Sequence, residues 1–233
     1  MFLYFLFRVP SCPFVDKKFL QSRSWYNVGM NNTAKTIGLL ALQGDFEKHR
    51  AAFEDRLKVP TRLVRTPEDL AQVEALLLPG GESTTIIKLM QRVGLDAAIK
   101  ERVAAGMPAF GTCAGMILLS KKIEGRPDQP TLGVLDVTVA RNAFGRQIDS
   151  FEADIPFDLD IAADNRPVRG VFIRAPYATE IGGKVQVLAH FEERIVGVRQ
   201  ANLLAIAFHP ELTDDTRLHE YFVRMVNNAG VGC

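Results

Sequence analysis

Cysteine is scarce in this 233-residue chain: there are three, at Cys12, Cys113 and Cys233. Thiols so few and so unevenly spaced exclude a disulfide framework, and no pair of His or Cys has the spacing of metal ligands, so no metal is expected. The same scarcity fits a reducing compartment, the cytoplasm. Long apolar runs are missing too. None approaches the ~20 residues of a membrane span, so no membrane partner is expected. Charge of one sign is not in excess: 28 Lys and Arg face 27 Asp and Glu, a formal +1. That balance gives no reason to expect nucleic acid or an anionic bilayer as a partner. The segment PGGES, 79–83, lacks the spacing and the lysine of a phosphate loop. Internal repeats, low-complexity segments and a linker able to divide two domains are absent as well. What remains, 47% hydrophobic and 24% charged residues, is the composition of one sizeable globular domain.

The start of the chain stands apart. MFLYFLF opens apolar with no basic residue before it and is closed by Arg8, which is not the pattern of a signal peptide. Residues 1–33 show no periodicity. They read as an extension outside the fold, with Met30 a natural start and 1–29 an overlong beginning, and 34–233 as a single domain.

From Lys35 onward strands and helices alternate. TIGLLAL (36–42) is a continuous apolar run, as a buried parallel strand requires. DFEKHRAAFEDRL (45–57) has helical spacing; TRLVR (61–65) is a second strand and PEDLAQ (67–72) a helical turn. ALLLP (75–79) is a third strand ending on Gly80-Gly81. Helices over 83–94 and 95–105 are closed by Gly94 and Gly106, and MPAFG (107–111) is a fourth strand. This predicts an α/β fold: a three-layer, open, mostly parallel sheet with helices on both faces. Past Leu119, KKIEGRPDQP (121–130) reads as a loop. Strands follow at 133–142, 169–177 and 184–192, with 195–200 the hairpin partner of the last. NLLAIAFHPE (202–211) is a buried strand and TRLHEYFVRMVNN (216–228) a closing helix.

PAFGTCAGMILLS (108–120) carries the chemistry. Gly111 and Gly115 flank Cys113 at a strand-to-helix corner, the arrangement that raises a nucleophile on a tight turn at a helix N-terminus. A thiol nucleophile needs a base. His209 ends an apolar strand just before Pro210, and in open parallel sheets reactive groups gather at strand carboxyl ends. Glu211, two residues on, can accept the other imidazole proton and orient the ring. The Gly80-Gly81 corner also follows a buried strand, so its N–H groups together with that of Ala114 can form an oxyanion hole. His49 and His219 are read as solvated residues on exposed helix faces, and His190 as a structural strand residue.

These residues resemble a known family. Gly111-Thr112-Cys113-Ala114-Gly115 and His209-Pro210-Glu211 match the nucleophile corner and the His-Pro-Glu signal of the class I, triad-type glutamine amidotransferases. LALQGDFEKH (40–49), LLLPGGESTT (77–85), GTCAGMILL (111–119), RNAFGRQIDSFE (141–152) and VFIRAP (171–176) resemble its glutaminase subunits of pyridoxal 5'-phosphate synthase. The resemblance spans about 35–228 and implies a flavodoxin-like fold and no cofactor. It implies hydrolysis of L-glutamine to glutamate and ammonia through a thioester on Cys113, with His209 as base and acid and Glu211 orienting it. Gly81 and Ala114 would hold the oxyanion. Gly80, Gly81, Glu82, Ser83, Arg141, Asn142, Phe172, Ile173 and Arg174 would surround the substrate, and Gln43 and Gly44 would meet the partner. That partner would be a (β/α)8 synthase in a complex of twelve and twelve subunits. It would combine the ammonia with ribose 5-phosphate and glyceraldehyde 3-phosphate. Another triad amidotransferase, a self-sufficient cysteine hydrolase and a non-catalytic protein of the same fold are the competing readings. RNAFGRQIDSFE and FIRAP argue against the first, partner-dependent ammonia release would separate the second, and an intact triad argues against the third.

Overall fold

The computed structural model describes residues 35–141, 150–157 and 166–229. All lie in the compact unit Thr33–Cys233, while the expected extension 1–33 falls outside the described residues. In chain order the elements are β1 (Ile37–Leu40), α1 (Phe46–Ala51, continued by a π-helical segment Ala52–Arg56), β2 (Thr61–Val64), α2 (Pro67–Leu70) and β3 (Ala75–Leu78). Then come α3 (Ser83–Arg92), α4 (Leu95–Ala104), β4 (Ala109–Thr112), α5 (Ala114–Leu119), β5 (Ser120–Ile123), β6 (Leu135–Ala140) and β7 (Ser150–Ile155). The chain continues through β8 (Val168–Ile173), β9 (Tyr177–Ile181), β10 (Gln186–Phe191), β11 (Arg194–Gln200), β12 (Leu203–Ile206), a 3-10 turn (Pro210–Leu212) and α6 (Arg217–Asn228).

The main sheet runs β2-β1-β3-β4-β12-β11-β9-β6-β5, with β10 paired to β11. From β2 to β12 every pairing is parallel. Every residue of β1, β3, β4 and β12 is buried. Helical crossovers cover both faces of such a sheet, so its central strands have no polar side to show. α6 supplies one cover: Leu218, Phe222, Met225 and Val226 are buried on it, and Phe222 meets Phe110 of β4 at 5.4 Å between ring centroids.

Beyond β12 the sheet turns antiparallel through β11, β9 and β6, and the β10–β11 hairpin forms as expected. Three features differ from the sequence expectation. The loop expected over 121–130 begins as β5, a parallel edge strand on β6 with Ser120 and Ile123 buried and Lys121 and Lys122 exposed. Paired lysines are a common guard on a sheet edge, and there they resemble a solvated loop. The single strand expected over 169–177 is two strands, β8 and β9, broken where Arg174 takes φ 44° before Ala175-Pro176. Its first half pairs with β7, which has no expected counterpart, in a separate two-stranded sheet.

Candidate active site

The carboxyl ends of β1, β3, β4 and β12 open on one cleft of about 340 Å³, lined among others by Gln43, Gly44, Gly80, Gly81, Glu82, Ser83, Cys113, Ala114, Arg141, Ile173, Arg174 and His209. Cys113 sits at its base with φ 48° and ψ −105°, a left-handed conformation that an L-residue adopts only under constraint. Two contacts impose it. The Cys113 N–H donates to Ile206 O (2.9 Å), extending the β4–β12 ladder by one bond. Gly115 packs so tightly on β3 that a Cβ there would lie 2.1 Å from Leu78 O. At Gly111 a Cβ would lie 2.6 Å from the Gly115 carbonyl. The flanking glycines serve close approach rather than φ freedom.

His209 is set by β12 on one side and β8 on the other, its N–H donating to Val171 O at 2.8 Å. Its Nδ1 lies 2.7 Å from Glu211 Oε1. Gly80 leaves room for the ring, since a Cβ there would come within 2.3 Å of His209 Cε1. Burial alone would lower the His209 pKa, but its hydrogen bonds to Cys113 and Glu211 and their charges outweigh that and push it up to about 10. Burial pulls Glu211 toward the neutral acid, yet His49 and His209 hold its carboxyl below the ordinary value. Thus Cys113, His209 and Glu211 form a contiguous thiol–imidazole–carboxylate row.

The remaining predicted residues divide by position. Gly81 has φ 155°, and Gln43 Oε1 accepts the N–H of Glu82 at 2.8 Å. Asp45 N–H donates to Gly80 O at 3.3 Å, so the segment after β1 is laced to the glycine corner after β3. Arg141 donates to Glu82 Oε1 (3.1 Å) and to Gln129 Oε1 (2.7 Å), and Gln129 Nε2 donates to Ser83 Oγ (3.0 Å). Burial would raise the Glu82 pKa, but Thr84 and Arg141 keep it low. Ile173 presents its carbonyl 3.9 Å from Cys113 Sγ. Phe172 does not line the cleft: alternation along β8 turns its ring to the other face, stacked on Phe151 at 4.6 Å and near Phe191 and Phe208. Asn142 lies outside the described residues.

The expectation of solvated His49 and His219 is overturned. His49 is 0% and His219 1% exposed. His49 Nδ1 lies 2.9 Å from His219 Nε2, and His49 Nε2 lies 3.1 Å from Thr112 Oγ1 and 3.3 Å from Glu211 Oε2. Spacing held the missing signal. His49 falls between Phe46 and Phe53 on one helical stripe, and His219 precedes Phe222 and Val226 by three and seven residues. Gln129 was missed as well, and nothing local to its loop marks it.

A model of the SNO glutamine amidotransferase family matches residues 39–228. The chain is 52% identical over 190 residues to pyridoxal 5'-phosphate synthase subunit PdxT of Carboxydothermus hydrogenoformans, covering 82% of this chain and 97% of that protein. It is 54% identical over 198 residues to the subunit of the same name from Acidothermus cellulolyticus, covering 82% and 93%. A solved crystal structure of a glutamine amidotransferase superposes with a TM-score of 0.77 at 48% identity, covering 84% of this chain and 99% of that one.

Proposed function

The chain belongs to the SNO glutamine amidotransferase family, and from that premise we propose how its cleft works as the glutaminase subunit of a pyridoxal 5'-phosphate synthase. It is an enzyme that releases ammonia from L-glutamine for pyridoxal 5'-phosphate synthesis: the family is one of glutamine amidotransferases, and relatives at half identity are pyridoxal 5'-phosphate synthase subunits. The observation that carries the assignment of roles is His209, seated between Cys113 and Glu211 at the ends of adjacent parallel strands.

Cys113 gives its thiol proton to His209, and the Sγ thiolate attacks the side-chain carbonyl carbon of glutamine. The carbonyl electron pair moves to oxygen, and the N–H groups of Gly81 and Ala114 hold that oxyanion. His209, held as imidazolium beside Glu211, passes its proton to the amide nitrogen, and ammonia leaves as the carbonyl re-forms. Water then attacks the Cys113 thioester, His209 takes its proton, the C–S bond breaks, and glutamate departs. Arg141, fixed by Glu82 and Gln129, is the cation for the α-carboxylate. Glu82 and Ser83 form the wall by the glycine corner, and the Ile173–Arg174 backbone the opposite one.

The ammonia passes to a (β/α)8 synthase in a complex of twelve and twelve subunits in the cytoplasm, where a working thiol stays reduced. Gln43 and Gly44 meet that synthase. The bonds of Gln43 to Glu82 and of the neighbouring Asp45 to Gly80 support a coupling between docking and the oxyanion site. The test is ammonia release from glutamine with and without the cognate synthase. Release should depend on the synthase and vanish in Cys113→Ala. Full activity in that variant would remove Cys113 from the mechanism, and release indifferent to the synthase would remove the partner.

A further inference from the structure

Behind the triad, away from the cleft, lies a second row of buried polar groups that the mechanism above does not use: Thr112 on β4, His49 on α1 and His219 on α6. We propose that His49 is a positioning residue for Glu211, presenting a neutral Nε2–H to the carboxylate oxygen that His209 does not use, with His219 fixing the His49 tautomer. The inference rests on the triad reading of Cys113, His209 and Glu211.

The argument is one of proton placement. Glu211 Oε1 is engaged by His209 Nδ1 at 2.7 Å. Among the described residues, buried Glu211 Oε2 has no well-aligned hydrogen-bond partner, and His49 Nε2 faces it at 3.3 Å. His49 and His219 are buried and their pKa values are lowered. Desolvation is the leading cause for both, and it takes His219 to about 3. Both rings are therefore neutral, and each carries one N–H.

Two tautomer patterns satisfy the 2.9 Å contact between His49 Nδ1 and His219 Nε2. In the first, His219 Nε2–H donates to His49 Nδ1, so the His49 proton sits on Nε2, pointing to Thr112 Oγ1 and Glu211 Oε2. The one nitrogen then left over, His219 Nδ1, is a bare acceptor. In the second, His49 Nδ1–H donates to His219 Nε2. That strands an N–H on His219 Nδ1, which has no partner among the described residues, and sets the His49 lone pair against a carboxylate oxygen. A buried N–H without an acceptor and two facing lone pairs both carry desolvation penalties that the first pattern avoids. The first pattern is the ground state.

The charged and titratable groups around the row agree with it. His49 lies in the fields of Glu211, His209 and Asp45, and His219 in those of His49, Glu211, Arg56 and Asp215. Glu211 is the acceptor that a polarised His219–His49 donor row would serve. The row thus supports the ionised, fixed carboxylate that His209 requires.

The first measurement needs no variant: nitrogen and proton NMR of the imidazoles in the full chain at neutral pH. Neutral Nε2–H tautomers at both His49 and His219 are expected, and an Nδ1–H tautomer or a charged ring at either overturns the proposal. The second is ammonia release with the cognate synthase. His49→Leu should lower kcat about tenfold or more while KM for glutamine stays within about twofold, because the ring lies outside the cleft. Its acidic limb should move to higher pH, since a carboxylate that loses a donor is protonated sooner as pH falls. His49→Gln, which keeps an N–H, should restore most of kcat and return the limb. A parent-like His49→Leu, or a loss with an unmoved limb that His49→Gln does not repair, overturns it. Cys113→Ala in the same assay separates the two levels: an active Cys113→Ala rejects the triad, whereas an inactive one beside a parent-like His49→Leu rejects only the role of His49.

Discussion

At Cys113 the backbone stores strain of roughly 1–3 kcal/mol, the usual magnitude for a non-glycine residue held at positive φ. The surrounding ladder and the Gly111–Gly115 contact oppose its relaxation, so the thiol stays aimed into the cleft. The partner imidazole carries the pH behaviour. His209 is raised from 6.5 to about 10 by contacts that favour its charged form against burial. A raised basic group stabilises the fold fully below 6.5, and that contribution is lost as pH rises through about 10. In the proposed mechanism the same proton is the one delivered to the leaving ammonia. The pH profile of kcat/KM for glutamine, measured with the synthase, should therefore stay flat from neutrality and fall on a basic limb near 10. A limb at the ordinary imidazole value would show that Cys113 and Glu211 do not raise His209 in the working enzyme.

At the scale of elements, the site is assembled by register. β4 and β12 pair in parallel with Thr112 beside Ile206, which brings Cys113 and His209 out on the same rim. β3, one strand further, brings the glycine corner. These strands were legible because fully buried strands leave uninterrupted apolar runs. β5, β7 and β9 were not, because edge and half-exposed strands mix charges into the run: Lys121-Lys122 in β5, Glu152 and Asp154 in β7. The β3–α5 contact is one of the close backbone approaches of the assembly. Gly115→Ala should destabilise the protein by about 1–3 kcal/mol through overpacking on Leu78 O. It should also reduce ammonia release more than the lost stability explains, because α5 can yield only by carrying Cys113 with it. Denaturant titration and the ammonia assay on one preparation would test this, and a variant as stable and active as the parent would contradict it.

For the whole molecule, the parallel half of the main sheet carries the site, while the separate β7–β8 sheet leads into the Ile173–Arg174 segment that lines the cleft. The family match begins at residue 39, within β1. We propose that residues 1–33 are an extension outside the catalytic domain. A chain begun at Met30 should therefore keep the melting temperature within about 1 °C and the synthase-dependent ammonia release unchanged, as expected when no buried contact is removed. A drop of several degrees, or loss of release, would make the extension part of the working protein.

The sequence by itself determined the α/β alternation, the buried strands and the identities of Cys113, His209 and Glu211, because each is written in local features: apolar runs, flanking glycines, a histidine at a strand end. Only the tertiary structure decided what lies behind the triad and what holds Arg141. His49 and His219 are 170 positions apart, and Arg141 meets Glu82 across 59. A polar side chain on a helix is a solvent group or a buried partner according to what another element places against it. That choice is made when the layers pack, after local propensity has had its say.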